Sequence, residues 1–306
     1  LLSLLPVWQP VQVARAQLPA AVETPLVSPT LLIPADSLSD QSGYQRALSA
    51  ACGEYAAASD AALLSAEQRL ALAAGRSAAT AADWHALGCT RALLDAANLI
   101  GREGLEMPLG AGWQEGATNA WLRTLRLAPA FAPAAEGLGV LVLDQAFPRK
   151  GDAVRAALAG AVAAGAASPA AVRGCALLAA RSGDATTARN CITRGLDAGS
   201  DSTWQLLLRA RLDAVAHDTA AMARSFDLAL RAAADGAAWA EVGWHLRWFT
   251  EPEEWLEWQA LALGDRAAWV RDRLATRDVR DARSPGARLA AHFERLEFVE
   301  QHFRRD

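Results

Sequence analysis

Alanine dominates this chain and constrains its fold more than any other feature. Roughly a quarter of the 306 residues are alanine, whereas valine, isoleucine, phenylalanine and tyrosine are scarce. Alanine is the strongest helix former because it loses no side-chain entropy in a helix and buries no polar group. Residues that favour strands are too few to build a sheet. The composition therefore predicts an all-α protein, and the length predicts two domains or one elongated domain.

The charge pattern argues against nucleic acid as a partner. The chain carries 30 basic and 34 acidic residues, for a formal net charge of -4, and Lys150 is its one lysine. Arginines are frequent between Arg266 and Arg305, but aspartates and glutamates alternate with them. Mixed signs on a helical segment are typical of a solvated face with ion pairs one turn apart. Nucleic-acid binding would need a basic stripe that stands apart from acids.

The first 38 residues predict an extended arm. Proline fixes the backbone torsion φ and removes an amide donor, so a helix cannot run through a segment that contains Pro6, Pro10, Pro19, Pro25, Pro29 and Pro34. The apolar side chains of the arm have no periodicity that would form a core, and we expect them to contact a partner subunit or a membrane. The predicted arm contacts are Leu4, Leu5, Trp8, Leu31, Leu32 and Ile33.

The arm also begins like the end of an export signal. The apolar run Leu1–Trp8 is followed by Ala14-Arg15-Ala16, which has the small-residue pattern of a cleavage site before Gln17. Two alternatives stay open: the segment is retained as an anchor, or the pattern is fortuitous. We expect a periplasmic or exported protein that is associated with a membrane, with a cytoplasmic protein as the alternative.

An internal repeat of 32–34 residues organises the middle of the chain. The dipeptide Gly151-Asp152 opens a helical pattern, Gly183-Asp184 repeats it 32 residues later, and His217-Asp218 repeats it 34 residues after that. A first half-unit with the spacing W-x2-L-G begins at Trp84. A fixed period of this length is the signature of a stacked repeat architecture.

These spacings resemble those of tetratricopeptide-repeat proteins over residues 80–235, about half of the chain. The resemblance implies a solenoid in which each helix pair buries its exposed face against the next pair. The boundaries that follow are an extended arm over 1–38, a helical pair over 39–79, repeats over 80–235 and a tryptophan-rich helical cap over 236–306. About seventeen additional residues around Gly101–Gly112 split the first unit, which is a departure from the family.

The resemblance also implies where a partner binds. In tetratricopeptide-repeat proteins, ligands contact inward positions on the first helix of each unit. The matching positions in this chain are His85, Glu136, Asp144, Arg173, Arg181, Trp204 and Arg211. The lysine and asparagine clamp of some relatives is not matched, but arginines at these positions suit bidentate contacts with an acidic partner. The alternative is that they are ordinary solvated arginines.

Six of the eleven tryptophans lie between Trp239 and Trp269. Trp244 and Trp248 are spaced i,i+4, and Trp255 and Trp258 are spaced i,i+3, so each pair is expected to share one helix face. Large rings on such stripes would fill the gaps that alanine-rich helices leave at the end of a solenoid. We therefore predict that these four rings are buried in a capping core. An exposed aromatic platform is the alternative.

The C-terminal quarter also resembles the helical lead-in of bacterial GWxTD-domain proteins, which are poorly understood exported proteins. The residues that carry the resemblance are Arg247-Trp248, Thr250–Glu253, Gly264-Asp265-Arg266, Trp269 and Pro285–His292. The GWxTD motif itself is absent, so the resemblance supplies no catalytic residue.

The four cysteines have no spacing typical of a metal site. In the repeat scheme, Cys175 and Cys191 face each other across the two helices of one unit. In an oxidising compartment we expect them to lie close enough for a disulfide. The alternative is that all four are small buried apolar residues.

The sequence contains none of the common catalytic motifs. It has no G-x-S-x-G, no H-E-x-x-H and no phosphate-binding loop, and its five histidines are scattered. We therefore expect neither an enzyme nor a bound metal or cofactor.

Three functions remain as hypotheses. The first is a non-enzymatic scaffold, an accessory subunit that binds the protein subunits of a membrane-associated complex on the exported side. The chain as a whole resembles an accessory subunit of a photosynthetic reaction-centre–antenna complex. The second is a soluble envelope protein that binds a glycan or another ligand on exposed tryptophans. The third is an enzyme whose composite site is completed by another chain.

Overall fold

A computed structural model of the chain describes residues 41–99, 112–143, 151–199 and 202–303. This part of the chain is entirely helical and contains no strand, which confirms the all-α prediction. The arm over 1–38 and its predicted contact residues lie outside the described residues, as does Asp144. The helices are α1 (Gln41–Cys52), a 3-10 helix (Gly53–Ala57), α2 (Asp60–Ala74), α3 (Ala81–Leu99), α4 (Trp113–Leu127), α5 (Ala132–Leu143), α6 (Gly151–Ala163), α7 (Pro169–Arg181), α8 (Ala185–Asp197), α9 (Ser202–Val215), α10 (Thr219–Ala232), α11 (Gly236–Leu246), α12 (Pro252–Ala260), α13 (Leu263–Arg280) and α14 (Ala287–Phe303).

Short polar signals set the helix boundaries in the middle of the chain. Asp184 accepts a hydrogen bond from the amide of Thr187 at 3.0 Å and so caps α8, and Asp218 caps α10 in the same way. Such a carboxylate satisfies an amide that has no partner inside the helix and favours the positive end of the helix dipole. Gly183 has a φ of 76°, which lets the chain reverse between α7 and α8.

The helices pack mainly on their neighbours in sequence. Contacts join α3 with α4, α7 with α8 and α9 with α10. Further contacts skip one helix and join α4 with α6, α5 with α7 and α6 with α8. Two helices from the ends of the described chain also pack back onto this array, α1 on α3 and α5, and α14 on α9.

Two glycines make room for a buried tryptophan ring between two helices. The ring of Trp121 in α4 is fully buried. A β-carbon at Gly88 of α3 would lie 2.5 Å from its Nε1 atom, and a β-carbon at Gly137 of α5 would lie 2.7 Å from its six-membered ring. Both distances are shorter than any ordinary contact. Trp121 therefore requires glycine on both sides of its ring.

Two disulfides join helices in the described chain. Cys52 of α1 is bonded to Cys89 of α3, with 5.3 Å between their Cα atoms. Cys175 of α7 is bonded to Cys191 of α8, with a Cα separation of 6.2 Å, which is the pairing expected from the sequence. None of the four cysteines is free.

The buried apolar residues form two main clusters that meet at α9. The first runs from Leu48 in α1 to Leu212 in α9, and the second runs from Leu206 in α9 to Leu296 in α14. Leu208 of α9 belongs to the first cluster and Leu206 to the second. Opposite faces of one helix thus serve both cores.

None of the helices in the described ranges combines the length and the hydropathy needed to cross a bilayer.

The contact between α5 and α7 yields a stability prediction. A β-carbon at Gly139 would lie 2.2 Å from the backbone carbonyl oxygen of Ala170, so Gly139→Ala forces the two helix backbones apart. We expect a loss of about 1–3 kcal/mol in the free energy of unfolding. Gly160 of α6 is the matched control, because a β-carbon there meets nothing within 4 Å. Gly160→Ala should gain up to about 1 kcal/mol from helix propensity. Urea denaturation of both variants measures the difference, and equal stability of the two would contradict the packing described above.

Candidate functional site

The seven predicted partner-binding positions do not form one open surface. Asp144 lies outside the described residues, and Arg181 is half-buried at the end of α7. His85 packs on the ring of Phe131 at a centroid distance of 5.0 Å. Glu136 accepts a hydrogen bond from the amide of Ala170 at 3.1 Å, so its carboxylate caps α7. Of the remaining three, Arg173 lies over the ring of Trp204, and Arg173 and Arg211 pair with acids of α11 and α14.

Arg211 is the most deeply buried charge of these positions. Its side chain is 2% exposed, and its guanidinium pairs with the carboxylate of Glu297 in α14, with Nη2–Oε2 and Nε–Oε2 distances of 2.5 and 3.1 Å. A buried charge is tolerated only when it is paired and hydrogen-bonded. Arg211 therefore holds α14 against α9 and does not project into solvent.

Arg173 makes the corresponding contact between α7 and α11. Its guanidinium lies 3.6 Å from the carboxylate of Glu241 and 5.1 Å from the ring centre of Trp204, a cation–π distance. Burial raises the pKa of Glu241 to about 7, although the charge of Arg173 opposes the rise. Burial has the opposite effect on the pKa of Arg173, which it lowers because it disfavours the charged guanidinium.

A pair of histidines completes this group. Nδ1 of His245 in α11 lies 3.1 Å from Nε2 of His292 in α14, and both rings are buried. Burial lowers the pKa of His245 well below its usual value, and His292 and Arg211 add to the shift. Burial, with Arg295 and Arg211, lowers the pKa of His292 to about 4. Both imidazoles are therefore neutral at pH 7, and one donates its N–H to the other.

We call these six charged or titratable residues the buried polar cluster: Arg173, Arg211, Glu241, His245, His292 and Glu297. Arg173 and Arg211 are among the partner-binding positions predicted from sequence, and the other four members were not predicted. The available signal was the i,i+4 spacing of Glu241 and His245 on one face of α11. The arrangement holds α11 and α14 on α7 and α9 by paired charges.

The tryptophans divide between core and surface. Trp239 and Trp258 are buried in the second apolar cluster, and Trp244, Trp255 and Trp269 pack against it. The prediction that Trp248 is buried is wrong, because its side chain is 64% exposed. The i,i+4 spacing does bring the rings of Trp244 and Trp248 together, at a centroid distance of 6.0 Å. Trp248 itself lies in the turn after α11 ends at Leu246, and its ring stays open to solvent.

Large apolar side chains at the surface concentrate in the same C-terminal region. Of the nine that are exposed in the described ranges, five lie between residues 248 and 298. They are Trp248, Leu256, Leu263, Val279 and Phe298. Exposed apolar residues are frequent at protein–protein contacts when they gather into a patch.

The described residues contain no group of three or more His, Cys, Asp or Glu side chains that could hold a metal ion. Comparison of the chain with protein-family models, curated proteins and solved structures finds no match in any of the three.

The buried histidines predict acid sensitivity. Between pH 6.5 and 4, the imidazole of His292 binds a proton in the unfolded chain but not in the folded protein, so the free energy of unfolding falls as the pH falls. This contribution is roughly 3 kcal/mol across that window. His292→Asn removes the titration and keeps a polar side chain beside His245. Between these pH values, the free energy of unfolding measured by urea titration should therefore fall by about 3 kcal/mol more in the wild-type protein than in the variant.

The matched control for this experiment is His302→Asn, at an exposed histidine on the same helix. Because solvent reaches the His302 side chain in the folded protein, this variant should keep the wild-type dependence on pH. If the free energy of unfolding depends on pH in the same way for wild type and for His292→Asn, the neutral buried pair is ruled out.

Proposed function

We propose that this protein is a non-enzymatic scaffold, an accessory subunit that binds protein subunits of a membrane-associated complex on the exported side. The observation that carries the proposal is that five of the nine exposed large apolar side chains of the described residues lie in the C-terminal region, at Trp248, Leu256, Leu263, Val279 and Phe298. Burying such groups against a partner contributes roughly 25 cal/mol for each Å² removed from water.

The arrangement of the helices supports this role. Contacts between neighbouring pairs, such as α5 with α7 and α6 with α8, are what a tetratricopeptide-like solenoid would make. In this interpretation α1 and α14 cover part of the inward face, and the C-terminal helices form the cap. The partner surface then lies on the outside of the cap.

The two disulfides support a place on the exported side. Disulfides persist in oxidising compartments and are rare where thiol reductants are abundant. Both bonds join different helices, Cys52–Cys89 between α1 and α3, and Cys175–Cys191 between α7 and α8. A photosynthetic reaction-centre–antenna complex is the assembly that the whole-chain resemblance implies.

A second candidate is an envelope protein that binds a glycan on exposed tryptophans. Trp248 favours it, because its ring is open to solvent. A glycan platform draws on several rings, however, and Trp244, Trp255 and Trp258 pack in or against the core. The scaffold is therefore the better-supported proposal.

Removal of exposed apolar side chains tests the scaffold. Leu256 is 65% exposed on α12 and Val279 is 79% exposed on α13, so Leu256→Ser with Val279→Ser should leave the protein folded. We expect that partner subunits no longer copurify with this double variant when the tagged chain is purified from membranes of the native host. Leu72→Ser is the matched control, at a 73% exposed leucine on α2, and should retain it. Retention of the complex by all variants would place the partner surface elsewhere.

Deletion of residues 1–38 tests the predicted arm. We expect the shortened protein to keep the wild-type helical signal in circular dichroism, because the apolar residues of the arm have no periodicity that would form a core. Association with the membrane fraction should be lost, since the apolar residues of the arm are proposed to provide it. Unchanged membrane association would refute the arm as a tether, whereas lost helicity would show that the arm packs on the helices.

A further inference from the structure

A basic pocket of about 320 Å³ lies where the turn after α11 meets α13 and α14. Its volume falls at the lower end of the range for small-molecule sites, roughly 300–1,000 Å³. Four arginines line it, with one glutamate and no aspartate. The lining residues are Trp248, Phe249, Thr250, Glu251, Arg277, Arg283, Arg288, His292 and Arg295.

Two of the four guanidinium groups are neutralised within the protein. Arg277 is 5% exposed in its side chain, pairs with Glu254 and Glu251, and donates to the carbonyl oxygen of Phe249 at 2.5 Å. Arg288 pairs with Asp281. The Nε atoms of both arginines are buried and have no hydrogen-bond partner. Each of these two residues therefore retains a donor that the protein does not satisfy.

The other two guanidinium groups are not neutralised in this way. The side chains of Arg283 and Arg295 are exposed, and neither forms an ion pair with another described residue. Guanidinium groups gathered around one pocket repel each other unless an anion lies between them. Arg283 and Arg295 thus carry two positive charges that no ion pair offsets, and a ligand with two negative charges would balance them.

The walls of the pocket are held in place without a ligand. Asp278 is buried and accepts hydrogen bonds from the amides of Gly286 at 2.7 Å and Arg288 at 3.2 Å, which fixes the loop between α13 and α14. Arg277 fixes the opposite wall through its bond to Phe249. Groups that are already positioned lose less conformational entropy when they bind.

An aromatic ring borders the basic groups. Trp248 lines the pocket, is 64% exposed, and is supported edge-on by Trp244 at a centroid distance of 6.0 Å. When a flat or apolar group lies on this ring, the surfaces of both are removed from water, which stabilises the contact. The site thus offers donors for an anionic group and one apolar face beside them.

We propose that this pocket binds a small molecule through a dianionic oxyanion group, a phosphate monoester or a dicarboxylate, whose flat or apolar part lies against Trp248. Guanidinium groups match both anions because their paired N–H donors can bind two oxygens at once. Trp248 belongs both to this pocket and to the exposed apolar residues of the scaffold proposal, but the two tests are separate, since neither Leu256 nor Val279 lines the pocket.

Calorimetric titration of the full chain at constant ionic strength tests the site with inorganic phosphate, phenyl phosphate and succinate. The wild-type protein should bind at least one of them. Arg283→Gln with Arg295→Gln should weaken that binding by about tenfold or more, because each lost guanidinium removes a charge-assisted hydrogen bond. Both side chains are exposed, so the variant should stay folded. The relative affinities for the phosphates and for succinate identify which anion the site prefers.

Two further variants make the experiment specific. Arg123→Gln with Arg126→Gln removes an equal charge from two exposed arginines of α4, outside the pocket, and should bind like wild type. Trp248→Ala should reduce the affinity for phenyl phosphate to that for inorganic phosphate. Equal affinities in wild type and in the Arg283/Arg295 variant, or an equal loss in the Arg123/Arg126 control, would overturn the site. An unchanged preference for phenyl phosphate in Trp248→Ala would overturn the role of the ring.

Discussion

The burial of α9 on every side is the constraint on which the rest of the structure depends. Nearly every residue from Thr203 to Ala214 is buried, including the charged side chains of Arg211 and Asp213. A helix buried all round is usually apolar, so each charge here must find a partner. Asp213 accepts from the hydroxyl of Ser225 in α10 at 3.0 Å and pairs with Arg189 in α8, and Arg211 pairs with Glu297 in α14. These bonds determine which helices can lie beside α9, because another neighbour would leave a buried charge unpaired.

Local features of this fold could be predicted from sequence because their causes are local. The alanine content predicts helices, and Asp184 and Asp218 mark the starts of α8 and α10 because a cap needs only a few neighbouring residues. The Cys175–Cys191 pairing follows from two helices that are adjacent in the chain. Gly88, which completes the W-x2-L-G spacing that begins at Trp84, lies against the ring of Trp121 in the next helix. In each case the interacting groups lie within one or two helices of each other.

The site could be predicted only in part, because its contacts are distant in sequence. Arg211 and Glu297 are 86 residues apart, and His245 and His292 are 47 residues apart. No periodicity connects such positions, so the return of α14 to α9 left no signal in the chain. Trp248 shows a different limit, because its spacing from Trp244 correctly predicts that the two rings meet but not that Trp248 is exposed. A spacing of four residues indicates that two side chains are neighbours, whereas their burial depends on what packs over them.

His292 connects the buried polar cluster to the open basic pocket. One side of its ring meets His245 and the other side lines the pocket, near Phe249 at a centroid distance of 5.4 Å. Arg295 and Arg211 both disfavour a proton on His292, and Arg295 itself lines the pocket. An anion between these groups would offset the charge of Arg295 and so raise the pKa of His292. Binding of the proposed anion would therefore be linked to the protonation of the buried histidine pair, and by reciprocity each would change the free energy of the other. Because His292 belongs to α14, the same linkage would extend to the contact of α14 with α9, where Arg211 pairs with Glu297.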